Sequence, residues 1–288
     1  MHRTRVGERV LIFTRGGESL AESFGANATA VLGDDGILLV DPLIAPSEAR
    51  AVAEALAKET SLPVKWVVLT HHHTDHALGA GWFAWQGTSV IAHHEAAARM
   101  AVEHPALIAQ RRARPDVAVL FADADVYEPS VAIVDEEAID LGGLEARLLP
   151  VGPAHTPGDV AVHIPSLDLL VAGDLVSSGY HVNYEDADIG GWRRALASLS
   201  SLAPGTVVPG HGAPGGGELI ATQLRYHDAL ERVVRDGARE DKTRPEIVAA
   251  IEALFPKHLL SMVLPESVDA WARFHGETIG DQPRDGLG

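Results

Sequence analysis

The chain has 288 residues, 46% of them hydrophobic and none of them cysteine, which suits one enlarged α/β domain or two closely joined halves and excludes a disulfide framework. Its 40 acidic against 23 basic residues leave a net charge of −17, a field that repels polyanions and makes nucleic acid a poor partner. No apolar stretch reaches the length of a membrane span and the start lacks the apolar core of a secretory signal, so the expected compartment is the cytoplasm, with no membrane partner.

In chain order, a short strand is expected over 9–14, after the polar start Met1 to Val6. Gly16-Gly17-Glu18 reads as a flexible loop, strands follow at 28–32 and 36–41, and the second of these ends on Asp41. The pattern then predicts a helix over 47–60, a strand over 64–70, a helix near 79–86 and a strand over 89–93. His93 and His94 fall at that last strand-to-helix junction and suit capping or packing. The segment 96–127 is partly helical and carries the basic cluster Arg111-Arg112-Ala113-Arg114. Strands recur near 131–134, 144–151, 160–165, 168–174 and 206–209, with a helix over 190–202. Residues 218–288 read as two or three amphipathic helices, so the expected division is a catalytic domain over 1–214 and a helical extension over 215–288 packed on it. Periodicity by itself gives α/β or α+β.

The run His71-His72-His73-Thr74-Asp75-His76 follows the apolar stretch 64–70 directly. If the backbone leaves the strand still extended, side chains alternate, so His71 and His73 face one way and His72 the other. Asp75 and His76 come where the chain must turn, and a turn can aim both at a second ion. Three further polar residues stand in Gly or Pro turns at the ends of apolar runs: His155 in Pro153-Ala154-His155-Thr156-Pro157-Gly158-Asp159, Asp174 after Ala172-Gly173, and His211 in Pro209-Gly210-His211-Gly212. Loops at strand ends are where a scaffold presents ligands.

These motifs, in this order and with the early Asp41, resemble the metallo-β-lactamase superfamily over roughly the first three quarters of the chain. The resemblance implies an αββα sandwich with its ligands along one edge. It also implies that His71, His73 and His155 hold one ion, that Asp75, His76 and His211 hold the other, and that Asp174 bridges them, His72 being no ligand. An all-nitrogen and oxygen set suits two Zn²⁺ per chain, with Mn²⁺, Fe²⁺ or Co²⁺ as alternatives. Such a centre spaces its metals ~3.5 to 4 Å apart around a shared hydroxide that attacks an ester, lactone, thioester or lactam of a small-molecule substrate. Asp75 is the expected catalytic carboxylate, steering a proton to the leaving group. Asp41, Thr156, Asp159 and His72 are candidates to support the ligands from behind. His181 and Tyr184 are candidates to line the pocket, and the terminal helices to cover it or to join two subunits. Ser177, three residues beyond the bridging position, is neither the Lys of the cysteine-type lactamases nor the Tyr of many homoserine-lactone hydrolases, so neither specialised activity is indicated. The alternatives are a promiscuous β-lactamase and a persulfide dioxygenase using one iron on a subset of these ligands.

Overall fold

The computed structural model describes residues 1–281. Two sheets lie face to face. The first has seven strands in chain order: β1 (His2–Val6), β2 (Val10–Thr14), β3 (Asn27–Leu32), β4 (Ile37–Val40), β5 (Val64–Val68), β6 (Ser89–His93) and β7 (Val131–Ile133). Its first four strands pair antiparallel and the rest parallel. The second sheet has five strands, β8 (Glu137–Asp140), β9 (Glu145–Pro150), β10 (Val160–Ile164), β11 (Leu169–Ser177) and β12 (Thr206–His211). Only β11 and β12 are parallel there.

Strand alternation sorts the apolar side chains into three layers. Leu38, Val40 and Val68 meet Leu148, Val162 and Val208 of the other sheet in the central layer. Ile37, Leu39 and Val67 point outward, under α1 (Pro46–Leu56) and α3 (Ala80–Ala84), where Ala49, Val52 and Phe83 cover them. Leu170 and Ala172 point out on the far side, toward α5 (Ile189–Ser200), α6 (Glu218–Arg239), α7 (Arg244–Leu254) and α8 (Leu264–Phe274). The expected αββα sandwich is what forms, because both sheets are apolar on both faces and each needs a helical cover. The extension contributes Leu230, Ile247, Leu264 and Trp271 to the same core as Trp192 and Leu196 of α5.

The sequence reading missed β1 and β8. Both are mostly exposed, polar edge strands, so neither shows an apolar alternation. The helix expected near 79–86 is two short pieces, α2 (Thr74–Ala77) and α3, while 96–127 contains α4 (His94–Arg112) and a 3-10 turn at Ala118–Phe121. His93 caps α4, accepting from the Glu95 amide. The expected helices of 218–288 are three, and positions 282–288 of that span lie outside the described residues. Among the described residues no helix is long and apolar enough to cross a membrane.

Candidate metal centre

Strand ends converge at one edge of the sandwich. The chain leaves β5 through Leu69 and Thr70 into the histidine run, and α2 begins at Thr74, so Asp75 and His76 turn in from the first turn of a helix. His155 comes from the loop between β9 and β10. Two of the expected strand ends are corrected. Strand β11 continues past Asp174 to Ser177, and its pairing with β12 is irregular around Gly173; β12 runs on to His211 itself. Asp174 therefore projects from within a kinked strand. Gly210 makes room for it, since a Cβ there would lie 1.8 Å from Asp174 Oδ1.

All seven residues meet. His71, His73, His155 and Asp174 offer donor atoms within 4.8 Å of one another, and so do Asp75, His76 and His211. Asp174 touches both groups: Oδ2 is 3.6 Å from His155 Nε2 and 3.3 Å from His211 Nε2, and Oδ1 is 3.2 Å from His76 Nε2. Asp75 Oδ2 stands 3.5 Å from His76 Nε2 and 3.4 Å from His211 Nε2. Four donors arranged tetrahedrally about one Zn²⁺, each about 2.0 to 2.1 Å from it, are about 3.3 Å apart. The spacing fits.

The outer ring nitrogens decide which lone pairs face inward. Thr70 Oγ1 donates to Asp41 Oδ2 at 2.6 Å and so accepts from His71 Nδ1 at 2.9 Å. His76 Nδ1 donates to Asp41 Oδ2 at 3.0 Å, and His211 Nδ1 donates to the Phe24 carbonyl at 3.0 Å. His73 is held the other way round, with Nε2 donating to Asp186 Oδ2 at 3.2 Å. Bare acceptors remain at Nε2 of His71, His76 and His211 and at Nδ1 of His73. His76 Nε2 and His211 Nε2 face each other at 3.2 Å, and His71 Nε2 is buried with no partner. Opposed lone pairs call for a cation between them. These residues fit a pair of divalent ions.

The electrostatics agree. Burial alone would lower the pKa of His211, but the carboxylates of Asp174 and Asp75 outweigh it and raise it to about 9. His76 is raised well above the ordinary histidine value by the same two carboxylates, again against its burial. Burial pushes the other way on Asp75 as well, yet His76 and His211 bring it down to about 2. On the other side, burial holds His155 down at about 3, and burial with the neighbouring His76 and His73 holds His71 well below the usual value. His71 and His155 are thus kept unprotonated, the state a metal requires, while His73 is raised against its burial by Asp186, Asp75 and Asp174, as His76 and His211 are by Asp174 and Asp75.

Of the expected supporting residues, Asp41 serves both groups through Thr70 and His76. Thr156 and Asp159 bind each other, amide and hydroxyl to carboxylate at 2.8 Å, and shape the His155 loop without touching a ligand. His72 turns away from the paired groups, its Nε2 3.4 Å from Glu103 and 3.5 Å from Asp186. A cavity of about 630 Å³ opens onto the site, with Phe24, Thr74, Arg111, Asn183, Leu260 and Met262 in its wall. His181 also borders it, while its ring nitrogen Nδ1 bonds the Tyr226 hydroxyl at 2.8 Å. Tyr184 does not line it: the ring is buried against Trp192 and His227. The Gly16-Gly17-Glu18 loop ties down the cavity rim, since Glu18 Oε2 accepts from the Leu260 amide at 2.9 Å. Asp186 and Arg111 escaped the sequence reading as individual residues. Asp186 lies two residues beyond Tyr184, but an Asp in a polar loop carries no periodic signal.

An αββα sandwich that gathers five imidazoles and two carboxylates at one edge defines a metal-centre protein of the β-lactamase type. The chain belongs to the metallo-beta-lactamase superfamily, whose model matches residues 22–211. It is 30% identical over 187 residues to a hydroxyacylglutathione hydrolase of Cereibacter sphaeroides, covering 64% of this chain and 60% of that protein. It is 27% identical over 184 residues to the alpha subunit of a 2,4-dinitroanisole O-demethylase of Nocardioides, covering 63% of this chain and 51% of that one. The chain thus spans only about half to three fifths of these relatives. In fold it is similar to a metallo-beta-lactamase from Pontibacter korlensis, with a TM-score of 0.66 at 22% identity over 79% of this chain and 98% of that one. A mono-zinc metallo-beta-lactamase from Pseudomonas aeruginosa gives 0.63 at 20% identity, over 79% and 95%.

Proposed function

We propose that the protein is a binuclear, zinc-dependent hydrolase that cleaves an ester, lactone, thioester or lactam bond of a small substrate. The observation that carries this reading is Asp174, whose two oxygens face both ligand groups. His71, His73 and His155 would hold one ion, Asp75, His76 and His211 the other, and Asp174 would share them. Bound there, two divalent ions supply Lewis acidity and acidify a water toward neutral pH. The protein's own part is to fix these donors and to shape the apolar wall along Leu260 and Met262. Asp75 borders the cavity, so its carboxylate is placed to carry a proton toward a departing group. Similarity to a hydroxyacylglutathione hydrolase supports the thioester within this range. The tight group of Asp75, His76 and His211 favours two ions over the single-iron dioxygenase alternative.

The test is metal analysis with turnover on nitrocefin, a homoserine lactone, S-lactoylglutathione and p-nitrophenyl esters. Two zinc ions per chain and chelator-sensitive cleavage are expected. Asp174→Ala should lose metal from both groups and nearly all turnover, and His72→Ala far less of either. An Asp174→Ala protein that kept two ions and full activity would refute the reading, as would one iron per chain with oxygen uptake on glutathione persulfide.

A further inference from the structure

Each acidic ligand or supporting carboxylate at the cavity has a cationic or imidazole partner. Asp75 and Asp174 face His76 and His211, Asp186 receives the His73 proton, and Glu103 receives Arg99 at 2.9 Å. Arg99 also stands 3.9 Å from Asp186. Arg111, the other arginine of the wall, has no carboxylate within 4.0 Å among the described residues. Its side chain is nonetheless pinned. Nη2 donates to Thr74 Oγ1 at 2.6 Å, the guanidinium lies 5.2 Å from the centroid of the Phe121 ring, and Nη1 is buried without any acceptor. Partial burial lowers the pKa of Arg111, a sign that its charge is incompletely compensated, and Asp75 acts on it only through space.

A fixed, half-desolvated guanidinium lacking an anion is costly to keep unless a ligand supplies one. Thr74 lies between His73 and Asp75 in the chain, so this cation is anchored directly beside the metal ligands. The flexible apolar side chains of Leu107, Met262 and Val263 form the neighbouring wall. We propose that Arg111 is a specificity-determining residue that binds a carboxylate of the substrate, so that the preferred substrates are carboxylate-bearing esters, lactones or thioesters with an apolar middle. The inference rests on the hydrolase reading for its reaction, but not for its binding step. It assigns to α4 the task of anion recognition; Ser177 does not line this cavity, and its amide donates to Gln223 Oε1 at 3.0 Å.

The experiment compares zinc-loaded wild type with Arg111→Met and Arg111→Lys on two esters, mono-p-nitrophenyl succinate and p-nitrophenyl butyrate, and titrates succinate calorimetrically. Metal content is checked for each protein. The ratio of kcat/KM for the succinate ester to that for the butyrate ester should fall about 10- to 100-fold in Arg111→Met, chiefly through KM, and recover in part in Arg111→Lys. Succinate affinity should fall by a similar factor. Arg225→Met, on the exposed face of α6 remote from this cavity, should leave the ratio as it is. An equal loss on both esters with unchanged succinate affinity would overturn the proposal and make Arg111 merely structural. If wild type cleaves neither ester, the ester branch of the hydrolase reading fails separately, and succinate affinity alone decides: a tenfold loss in Arg111→Met supports the anion site, and no loss refutes it. Should Arg111→Met not fold, Arg111→Lys and Arg111→Gln carry the same comparison.

Discussion

A ligating histidine usually gives its other N–H to an acceptor, and for four of the five histidines that meet at this site the acceptor can be named. Asp41 serves His71 through Thr70 and His76 directly, Phe24 serves His211 through a carbonyl, and Asp186 serves His73. Only His155 lacks such a partner, and its ring instead packs on Trp192 at 4.9 Å. Replacing Asp186 with Asn keeps the shape and removes the anion that holds His73 Nε2–H. Affinity for the ion on His71, His73 and His155 should then fall about 10- to 100-fold. The ion on Asp75, His76 and His211 should bind as before, so a zinc titration that resolves two steps would show one of them displaced. Displacement of both steps, or of neither, would contradict the assignment of Asp186 to His73 alone. The histidine run announced itself in the sequence because five chemically matched side chains sit within six positions. Asp186 did not, since its meaning depends on a partner 113 positions away.

Two of the seven residues, Asp174 and His211, lie within strands, and the irregularities of those strands matter as much as their ladders. The kink in β11 at Gly173 turns Asp174 into the site, with a positive φ of 53° and a Thr70 hydroxyl where a Cβ would stand. Gly210 of the neighbouring β12 clears the same space. A Cβ at Gly210 would also lie 2.8 Å from Asp174 N and from Gly173 C, so Gly210→Ala should shift the β11 backbone at the kink together with the Asp174 carboxylate, and the purified variant is expected to melt at a lower temperature and to bind less metal than the wild type. Full metal content would mean that Asp174 has freedom the packing does not suggest. The apolar runs behind these turns made β4, β5, β10 and β12 legible to within a residue or two, because each carries a buried apolar stretch, complete in Ile37-Leu38-Leu39-Val40 and shorter in Val67-Val68 and Val207-Val208. The edge strands β1 and β8 were hidden for the converse reason: their side chains mostly meet water, and pairing with β2 and β9, helped in β1 by Arg3 and Arg5 on Glu59, orders them.

Across the whole fold, the buried histidines set a dependence on pH. Burial lowers the pKa of His227 to about 3 and those of His104 and His181 to about 4, whereas an unfolded histidine titrates near about 6.5. Between those values the unfolded chain binds more protons, so stability should fall as the pH drops from about 6.5 toward 4, at up to about 1.4 kcal/mol per pH unit for each group. The opposite sign holds for His211 in chelated protein. Its raised pKa gives a contribution that is complete below about 6.5 and lost as the pH rises through about 9. Urea midpoints measured from pH 4 to pH 10, with and without zinc, should show the acid loss in both states and the alkaline loss only without metal. An acid limb that was flat would mean that these three histidines are solvated in the folded protein.

Local chemistry was enough to single out the seven His and Asp residues that the fold brings together, since they cluster in the sequence or end apolar runs; the same runs pointed to an α/β or α+β class, and the resemblance of the motifs implied the layered sandwich. The orientation of each imidazole, the inward turn of Asp174 and the lone guanidinium of Arg111 came from long-range packing. Each is a relation between side chains far apart in the chain, which exists only once the sheets have closed and excluded water from around them.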